Sequence, residues 1–369
     1  TLVEAAAPRL LVPDPGAGLL GEGGWHPTGV RLVTRSLELL RAFSDRCAEE
    51  GVPFRLQATG STTLVPEELV PHARALAALQ RGAGADVREV PLEDVPGLPL
   101  HAGIDLDGVA AAFHYPRDAW GLPRLYAEVL ASALPVVRGA ARLVVREGRA
   151  SVQVDGEPLA ADAVVVACGV HTRALLRGAG LDAPLQAYRT QAVRLVHPRA
   201  AAVPILHDAA QGCYLRPHAP GQMLVGDGTT TTPEDPLRWK ADADAAFVEA
   251  SLARVRRRFP FLADARPGDA WAGVDAATPD RLLLAGPHPD QPDVWLLAGG
   301  NGHGFMRAPA VGESLAATML GQRPRVPLDA YDPGRFAGRM GMDFRIREGY
   351  ALEGPGLSET AEVGPRGGR

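Results

Sequence analysis

The chain has 369 residues, enough for two or three domains or for two interleaved ones. Its 38 basic and 43 acidic side chains leave a formal net charge of −5, which excludes the strong basic field of a general nucleic-acid binder. Hydrophobic residues at 46% and charged residues at 22% are the balance of a globular protein with a core, and no apolar run is long enough to cross a bilayer.

The chain opens on Thr1-Leu2-Val3-Glu4, which reads as a strand end with an acid at its tip. Residues 13–29 are rich in Gly and Pro and read as loop. Val30, Val33, Leu37 and Leu40 recur at helical spacing and predict an amphipathic helix over 30–48. A strand near 54–65, a helix over 66–81 and a helix over 123–134 with Pro123 in its first turn are expected next. Ala150, Val152 and Val154 alternate with Ser151, Gln153 and Asp155, so one face of that strand is buried, and Asp155-Gly156 reads as a hairpin turn. The run 163–167 has no polar face and reads as a central strand covered on both sides. Short strands are expected over 188–232, among them a hairpin of Tyr214-Leu215-Arg216-Pro217 with Leu224-Val225-Gly226. A helix over 242–259 should carry Arg254, Arg256, Arg257 and Arg258 on its solvated face. The strand Val294-Trp295-Leu296-Leu297 leads through a glycine cluster to a helix over 308–321, and the tail over 353–369 is expected to be disordered. Parallel-type and antiparallel-type stretches alternate more than once, which implies two domains built from interleaved segments.

Gly16-Ala17-Gly18-Leu19-Leu20-Gly21 matches G-x-G-x-x-G, but that motif works only between a strand and a helix. Gly23, Gly24 and Pro27 stop a helix from growing directly out of it, so it reads as a loop, either flexible or laid over a cofactor. Gly299-Gly300-Asn301-Gly302-His303-Gly304-Phe305 joins an apolar strand to a helix. Glycines there let a flat ligand lie on the backbone, and helix-start N–H groups favour negative charge above them. Trp271-Ala272-Gly273-Val274, then Thr278-Pro279-Asp280 and Gly286, read as strand, turn and strand leading into that region. Arg216 reads either as a carboxylate clamp or as a surface strand residue. Cys47, Cys168 and Cys213 are too few and scattered for a disulfide framework or a zinc site, so a reducing, cytoplasmic setting is expected and no metal. Cys168 reads as a small buried residue at a strand end. His114, His207 and His218 have no partner spacing, and neither G-x-S-x-G nor H-E-x-x-H occurs.

These residues resemble the family of FAD-dependent amino-acid oxidoreductases that contains D-amino-acid oxidase, glycine oxidase and sarcosine oxidase. Four stretches carry the resemblance: Thr1-Leu2-Val3-Glu4; Ala161-Asp162-Ala163-Val164-Val165-Val166-Ala167-Cys168-Gly169; Trp271-Ala272-Gly273 with Thr278-Pro279-Asp280; and Gly302-His303-Gly304-Phe305-Met306 with Ala308-Pro309-Ala310-Val311-Gly312-Glu313. The last is the most specific, and the match spans about 1–325. It implies an α/β plus α+β fold, with a Rossmann-like FAD-binding domain (1–50, 104–182 and 283–325) interleaved with an antiparallel-sheet substrate domain (51–103 and 183–282) and a C-terminal extension, 326–369, that is partly disordered. It also implies that Glu4 binds ribose and that Ala141 meets adenine through its backbone. Gly16, Ala17 and Gly18 would lie near the pyrophosphate or flavin. Ala167, Cys168, Gly169 and Gly286 would line the cofactor. Gly302, His303, Gly304, Phe305 and Met306 would lie under the flavin ring, and substrate would sit near Tyr214 and Arg216.

Three departures bear on this expectation. The family's fingerprint strand and helix would precede Thr1, a βαβ portion of roughly 30 residues. Where glycine-oxidase-like members place a carboxylate-binding Arg, this chain reads Val274-Asp275-Ala276, and where sarcosine-oxidase-like members often carry Lys it has Met306. Both shift weight onto Arg216, Arg307 or Arg31. The resemblance implies oxidation of a C–N bond in a small amine or amino acid by hydride transfer to FAD, with His303 and the helix start stabilising negative charge and oxygen or another carrier taking the electrons. The alternatives are a non-catalytic, FAD-deficient subunit and a hydroxy-acid oxidoreductase on the same scaffold.

Overall fold

In the computed structural model, which describes residues 1–4, 16–228, 231–233, 235 and 238–344, the chain opens with β1 (Leu2–Glu4), β2 (Leu19–Leu20) and the long helix α1 (Pro27–Glu49). Next come β3 (Ser61–Val65), α2 (Val70–Gly82), β4 (Arg88–Val90), β5 (Ala111–Tyr115), β6 (Ala119–Trp120) and α3 (Pro123–Ser132). The strands β7 (Val136–Arg138), β8 (Ala141–Arg146), β9 (Arg149–Val154), β10 (Glu157–Leu159) and β11 (Val164–Val166) lead to α4 (Thr172–Arg177). β12 (Gln186–Val196), β13 (Ile205–Asp208), β14 (Cys213–Ala219) and β15 (Gln222–Gly226) precede α5 (Ala245–Arg258). β16 (Arg266–Ala277), β17 (Leu284–His288), β18 (Gln291–Ala298) and α6 (Gly304–Met319) follow. Among the described residues no helix is long and apolar enough to cross a membrane.

Local chemistry accounts for the element boundaries. Pro27 sits in the first turn of α1, where its missing N–H costs nothing, and His26 caps the helix by accepting the Thr28 N–H at Nδ1 (3.2 Å). The apolar stripe of Val30, Val33, Leu37 and Leu40 is buried as its spacing requires. Asp155 (φ 51°) and Gly156 (φ 93°) are both left-handed, the geometry of a tight β9–β10 hairpin.

One large sheet organises the molecule. Eight strands run in the order β16-β12-β15-β14-β13-β3-β5-β4, antiparallel except for the parallel β13–β3 pair. One face is the main core, where Leu64, Leu206, Leu215 and Val225 meet Phe247, Val255 and Phe259 from α5 and its end. The other face looks into a cavity. A smaller sheet, β11-β18-β17, holds β11 parallel to β18, and β1 pairs in parallel with β7. α1 and α6 lie against each other, tied by Arg35, which donates from Nε (2.9 Å) and Nη2 (2.5 Å) to the Glu313 carboxylate.

Several expectations change here. Of the 163–167 run, Val164–Val166 form β11, which among the described residues pairs with β18 alone, and Val165 is 41% exposed. Cys168 is exposed, two residues past the end of β11 at Val166. Arg258 is not solvated. It is 2% exposed and donates through Nε (2.7 Å) and Nη2 (3.1 Å) to the fully buried Asp208. β5 belongs to the large sheet between β3 and β4, so residues 111–115 stand with the antiparallel layer, although they fall in the 104–182 cofactor segment expected from sequence. In the tail, Val326, Leu328, Tyr331, Phe336 and Met340 are buried in the core, and 353–369 lie outside the described residues.

Candidate active site

The cavity of about 610 Å³ has two facing walls. Its ceiling is the second face of the large sheet, read off by strand alternation: Ser61, Thr63 and Val65 on β3, Tyr188, Thr190 and Ala192 on β12. Four strand spacings of about 4.8 Å separate β3 from β12, so this ceiling is roughly 19 Å wide. The opposite wall is built from the turn into α6, the loop containing Gly16, Ala17 and Gly18, and Pro123, Tyr126 and Ala127 of α3.

The turn into α6 is pinned from three sides. Gly299 (φ 72°), Asn301 (φ 53°) and Gly302 (φ 78°) are left-handed, the last two consecutive. Asn301 holds its own conformation: Oδ1 accepts the Thr278 N–H (3.0 Å) and Nδ2 donates to the Gly299 carbonyl. Asp275, half-buried on β16, accepts the Gly302 N–H (2.7 Å) and the Tyr188 O–H (3.1 Å) at Oδ2. Burial raises the Asp275 pKa against these hydrogen bonds. α6 starts at Gly304, four residues earlier than periodicity suggested, and no side chain caps it. Its first-turn N–H groups therefore have no intrahelical partner and face the cavity. An added Cβ on Gly304 would meet nothing within 4 Å, so open space lies directly over the backbone.

Charge near this turn is positive. Arg307, one turn along α6, is 2% exposed, sits over the Trp25 ring (5.3 Å), and leaves Nε and Nη1 without partners. Arg281 lines the same cavity. His303 donates from Nδ1 to the Asn301 carbonyl (2.6 Å) and meets Trp25 edge-on (4.8 Å). Burial, then the nearby Arg307 charge, lowers its pKa to about 3, so the ring is neutral and Nε2 can only accept. A neutral His303 carries no positive charge, so the groups at this turn suited to favour negative charge are the helix N–H groups and Arg307.

The remaining expected residues fall into two groups. Gly16, Ala17, Gly18, Tyr214, Phe305 and Met306 line the cavity with Gly302, His303 and Gly304. β2 lies inside the glycine motif and pairs with β6, which is why no helix follows it. Tyr214 is held against Gly226, where a Cβ would come within 2.2 Å of its hydroxyl; burial pushes its pKa up to about 12. Glu4, Ala141, Ala167, Cys168 and Gly169 gather elsewhere, outside the cavity lining. Gly139 donates its N–H to the Glu4 carbonyl (3.2 Å), and the Glu4 charge acts on Cys168. Glu4 ends β1 and residues 167–169 follow β11, at carboxyl ends of the kind where open parallel sheets bind ligands, while Ala141 opens β8 just past the end of β7.

Two expected residues do not reach either place. Arg216 shares the Tyr214 side of β14 but is 1% exposed and does not line the cavity: it donates to the Ala17 and Pro217 carbonyls and stacks over Trp120 (4.5 Å), holding the glycine loop from behind. Burial lowers its pKa to about 10. The clamp role does not fit this placement. Gly286 is small for packing, since a Cβ there would stand 2.9 Å from Pro333 Cδ. Sequence reasoning missed Trp25, Tyr188 and the bracing role of Asp275, which read only as a lost arginine.

Comparison with known proteins agrees with this geometry. A family model described as "DAO: FAD dependent oxidoreductase" matches residues 15–318. Glycine oxidase of Pseudomonas aeruginosa is 30% identical over 271 residues, 69% of each chain. The formaldehyde-forming 4-methylaminobutanoate oxidase of Paenarthrobacter nicotinovorans is 29% identical over 218 residues, 53% of this chain; the match spans about a quarter (26%) of that relative's length. The crystal structure of L-proline dehydrogenase from P. horikoshii superposes with a TM-score of 0.76 over 86% of both chains at 24% identity, a likeness of fold.

Proposed function

Because the chain belongs to the DAO family of FAD-dependent oxidoreductases, we propose that it oxidises a C–N bond of a small amine or amino acid, with the hydride passing to the flavin. The observation that carries this reading is the two-walled slot between the uncapped start of α6 and the sheet face bearing Tyr188 and Tyr214. A flat ring suits it: the space over Gly304 is open, and the buried Trp25 Nε1 on the cavity wall has no partner. The cofactor half would comprise β1, β7–β11, β17 and β18 with α1 and α6, and the substrate half the eight-stranded sheet with α2 and α5.

When bound, FAD supplies the two-electron acceptor. The chain's own residues supply position and field. Gly302 to Met306 would lie beneath the ring, with the α6 N–H groups and Arg307 favouring negative charge there. Gly16 to Gly18 would close over the cofactor, and Glu4, Ala141 and 167–169 would hold its adenosine end. Tyr214, which keeps its proton at any working pH, would donate from Oη toward the substrate. The substrate carbon would then face the ring, and the resulting imine would hydrolyse after release. Oxygen or another carrier completes the cycle.

The test is purification of the full chain with added FAD, followed by anaerobic mixing with amines, amino acids and 2-hydroxy acids. Expected is a stoichiometric flavin spectrum bleached by C–N substrates, with a carbonyl product and a released amine. Bleaching by hydroxy acids alone would replace this reading with the C–O one.

A further inference from the structure

A hydride leaves carbon readily only when the attached nitrogen offers a lone pair, so a substrate ammonium has to lose a proton inside the slot. Among the described residues the cavity walls carry two carboxylates, Asp118 and Asp275. Asp118 is 1% exposed, lies beside Gly21 and is already engaged: Oδ1 accepts the Glu22 N–H (2.9 Å) and Oδ2 the Ser61 O–H (2.5 Å). Asp275 is half-buried and meets the turn into α6 itself, because its Oδ2 holds the Gly302 N–H. The same oxygen accepts the Tyr188 O–H (3.1 Å). Tyr188 is rooted in the ceiling on β12, yet its hydroxyl reaches the opposite wall, where a Cβ on Gly302 would approach it to 3.2 Å. Its proton is committed to Asp275, so Oη has only lone pairs left for a neighbour. A lone-pair acceptor backed by a carboxylate suits a positively charged N–H donor.

We propose that Tyr188 and Asp275 form a proton relay that takes the substrate ammonium proton before the hydride leaves. The ammonium N–H bond breaks as a new O–H bond forms on Tyr188 Oη, and the old Tyr188 O–H bond breaks as its proton moves to Asp275 Oδ2. The phenol ends neutral as it began, the carboxylate ends as the acid, and the amine ends with its lone pair. The hydride then passes to the flavin as in the C–N reading above, on which this inference rests. The proton returns to water by the same path once product has left. Burial raises the Asp275 pKa and so narrows its gap to an alkylammonium. Around the pair stand Tyr214 from β14, pushed up to about 12, Arg281 from the turn after β16, and His303, lowered to about 3; none of these groups titrates between pH 7 and 9.

The FAD-loaded full chain and its Tyr188→Phe variant are mixed anaerobically with glycine, sarcosine and proline, and flavin bleaching is followed from pH 7 to 9. Tyr188→Phe spares the bond between Asp275 and Gly302 and should lower kcat/KM on the order of a hundredfold or more at pH 7. The variant has to take the scarce free amine, so its kcat/KM should climb about tenfold per pH unit, while that of the unmodified chain should stay within about threefold. A purely structural loss would slow the variant equally at every pH. Parallel profiles in the two proteins, or a loss below about threefold, would overturn the proposal. Tert-butylamine has no hydrogen on the carbon bearing nitrogen, so it tests the site without turnover. By thermal shift at pH 7 it should bind the unmodified chain at least about tenfold tighter than tert-butanol, and Asp275→Asn should remove that preference. Equal binding of the two compounds by the unmodified chain would also overturn the proposal. Preference for tert-butylamine with no bleaching by any amine would leave the pair standing as an ammonium acceptor and sink the C–N reading instead.

Discussion

Two glycines two residues apart do different work at the turn into α6. Gly302 is left-handed, and its missing Cβ leaves room for the Tyr188 hydroxyl, which a Cβ would approach to 3.2 Å. Gly302→Ala should cost about 1 kcal/mol or more of stability through backbone strain alone, measured by urea denaturation of the FAD-free chain. Gly304 has helical geometry and open space above it. Gly304→Val should therefore leave that denaturation curve within about 1 kcal/mol of the parent yet weaken FAD binding at least about tenfold, measured by flavin fluorescence titration. Equal FAD affinity in the Gly304→Val protein would move the ring elsewhere. A second residue-scale case is the Asp208–Arg258 pair, almost wholly buried. Asp208→Ala strands a guanidinium in the core and should cost about 3–5 kcal/mol, far more than an exposed ion pair, again by urea denaturation.

At the scale of elements, α1 and α6 show what a motif residue can be for. Glu313 closes the glycine-to-glutamate stretch that resembles the flavoenzyme family, yet here its carboxylate grips Arg35 of α1. The pair is 20% and 33% exposed, so a double-mutant cycle with Arg35→Met and Glu313→Gln should return a coupling below about 1 kcal/mol. Elements with strong local signals were legible in the sequence. The stripe of α1, the Asp155-Gly156 hairpin and the Tyr214 to Gly226 hairpin follow from spacing and turn chemistry within a few residues of one another. What could not be read depended on distant partners. Arg258 looks like the exposed Arg256 and Arg257 beside it until β13 brings Asp208 beneath it. Of the site, the glycine turn was legible because its composition exceeds what a turn needs. Arg216 was misjudged because strand alternation says which face a side chain takes, not that a loop carbonyl will meet it there.

For the whole molecule, buried histidines set the response to acid. Burial lowers the pKa of His101, His207 and His218 to about 4 and that of His303 to about 3, against an unfolded value of 6.5. The unfolded chain thus takes up protons first, so this stability is complete above pH 6.5 and is lost as the pH falls toward 4. Asp118 opposes them. Burial raises its pKa to about 7 and raises that of Asp275 as well, which favours the native state at low pH, but burial lowers the histidines in greater number, His26 and His114 included. The urea midpoint should accordingly fall between pH 6.5 and 4, and a His207→Gln, His303→Gln double variant should lose less over that range. A midpoint rising on acidification would mean that the carboxyl dominates.

The eight-stranded sheet carries two unrelated tasks on its two sides. Leu64 and Leu206 belong to the folding core, while Thr63 and His207, one residue along each strand, belong to the cavity. Mutational libraries confined to the cavity-side parity could thus re-aim chemical selectivity while the register that folds the chain stays untouched, making this scaffold unusually evolvable from a single surface.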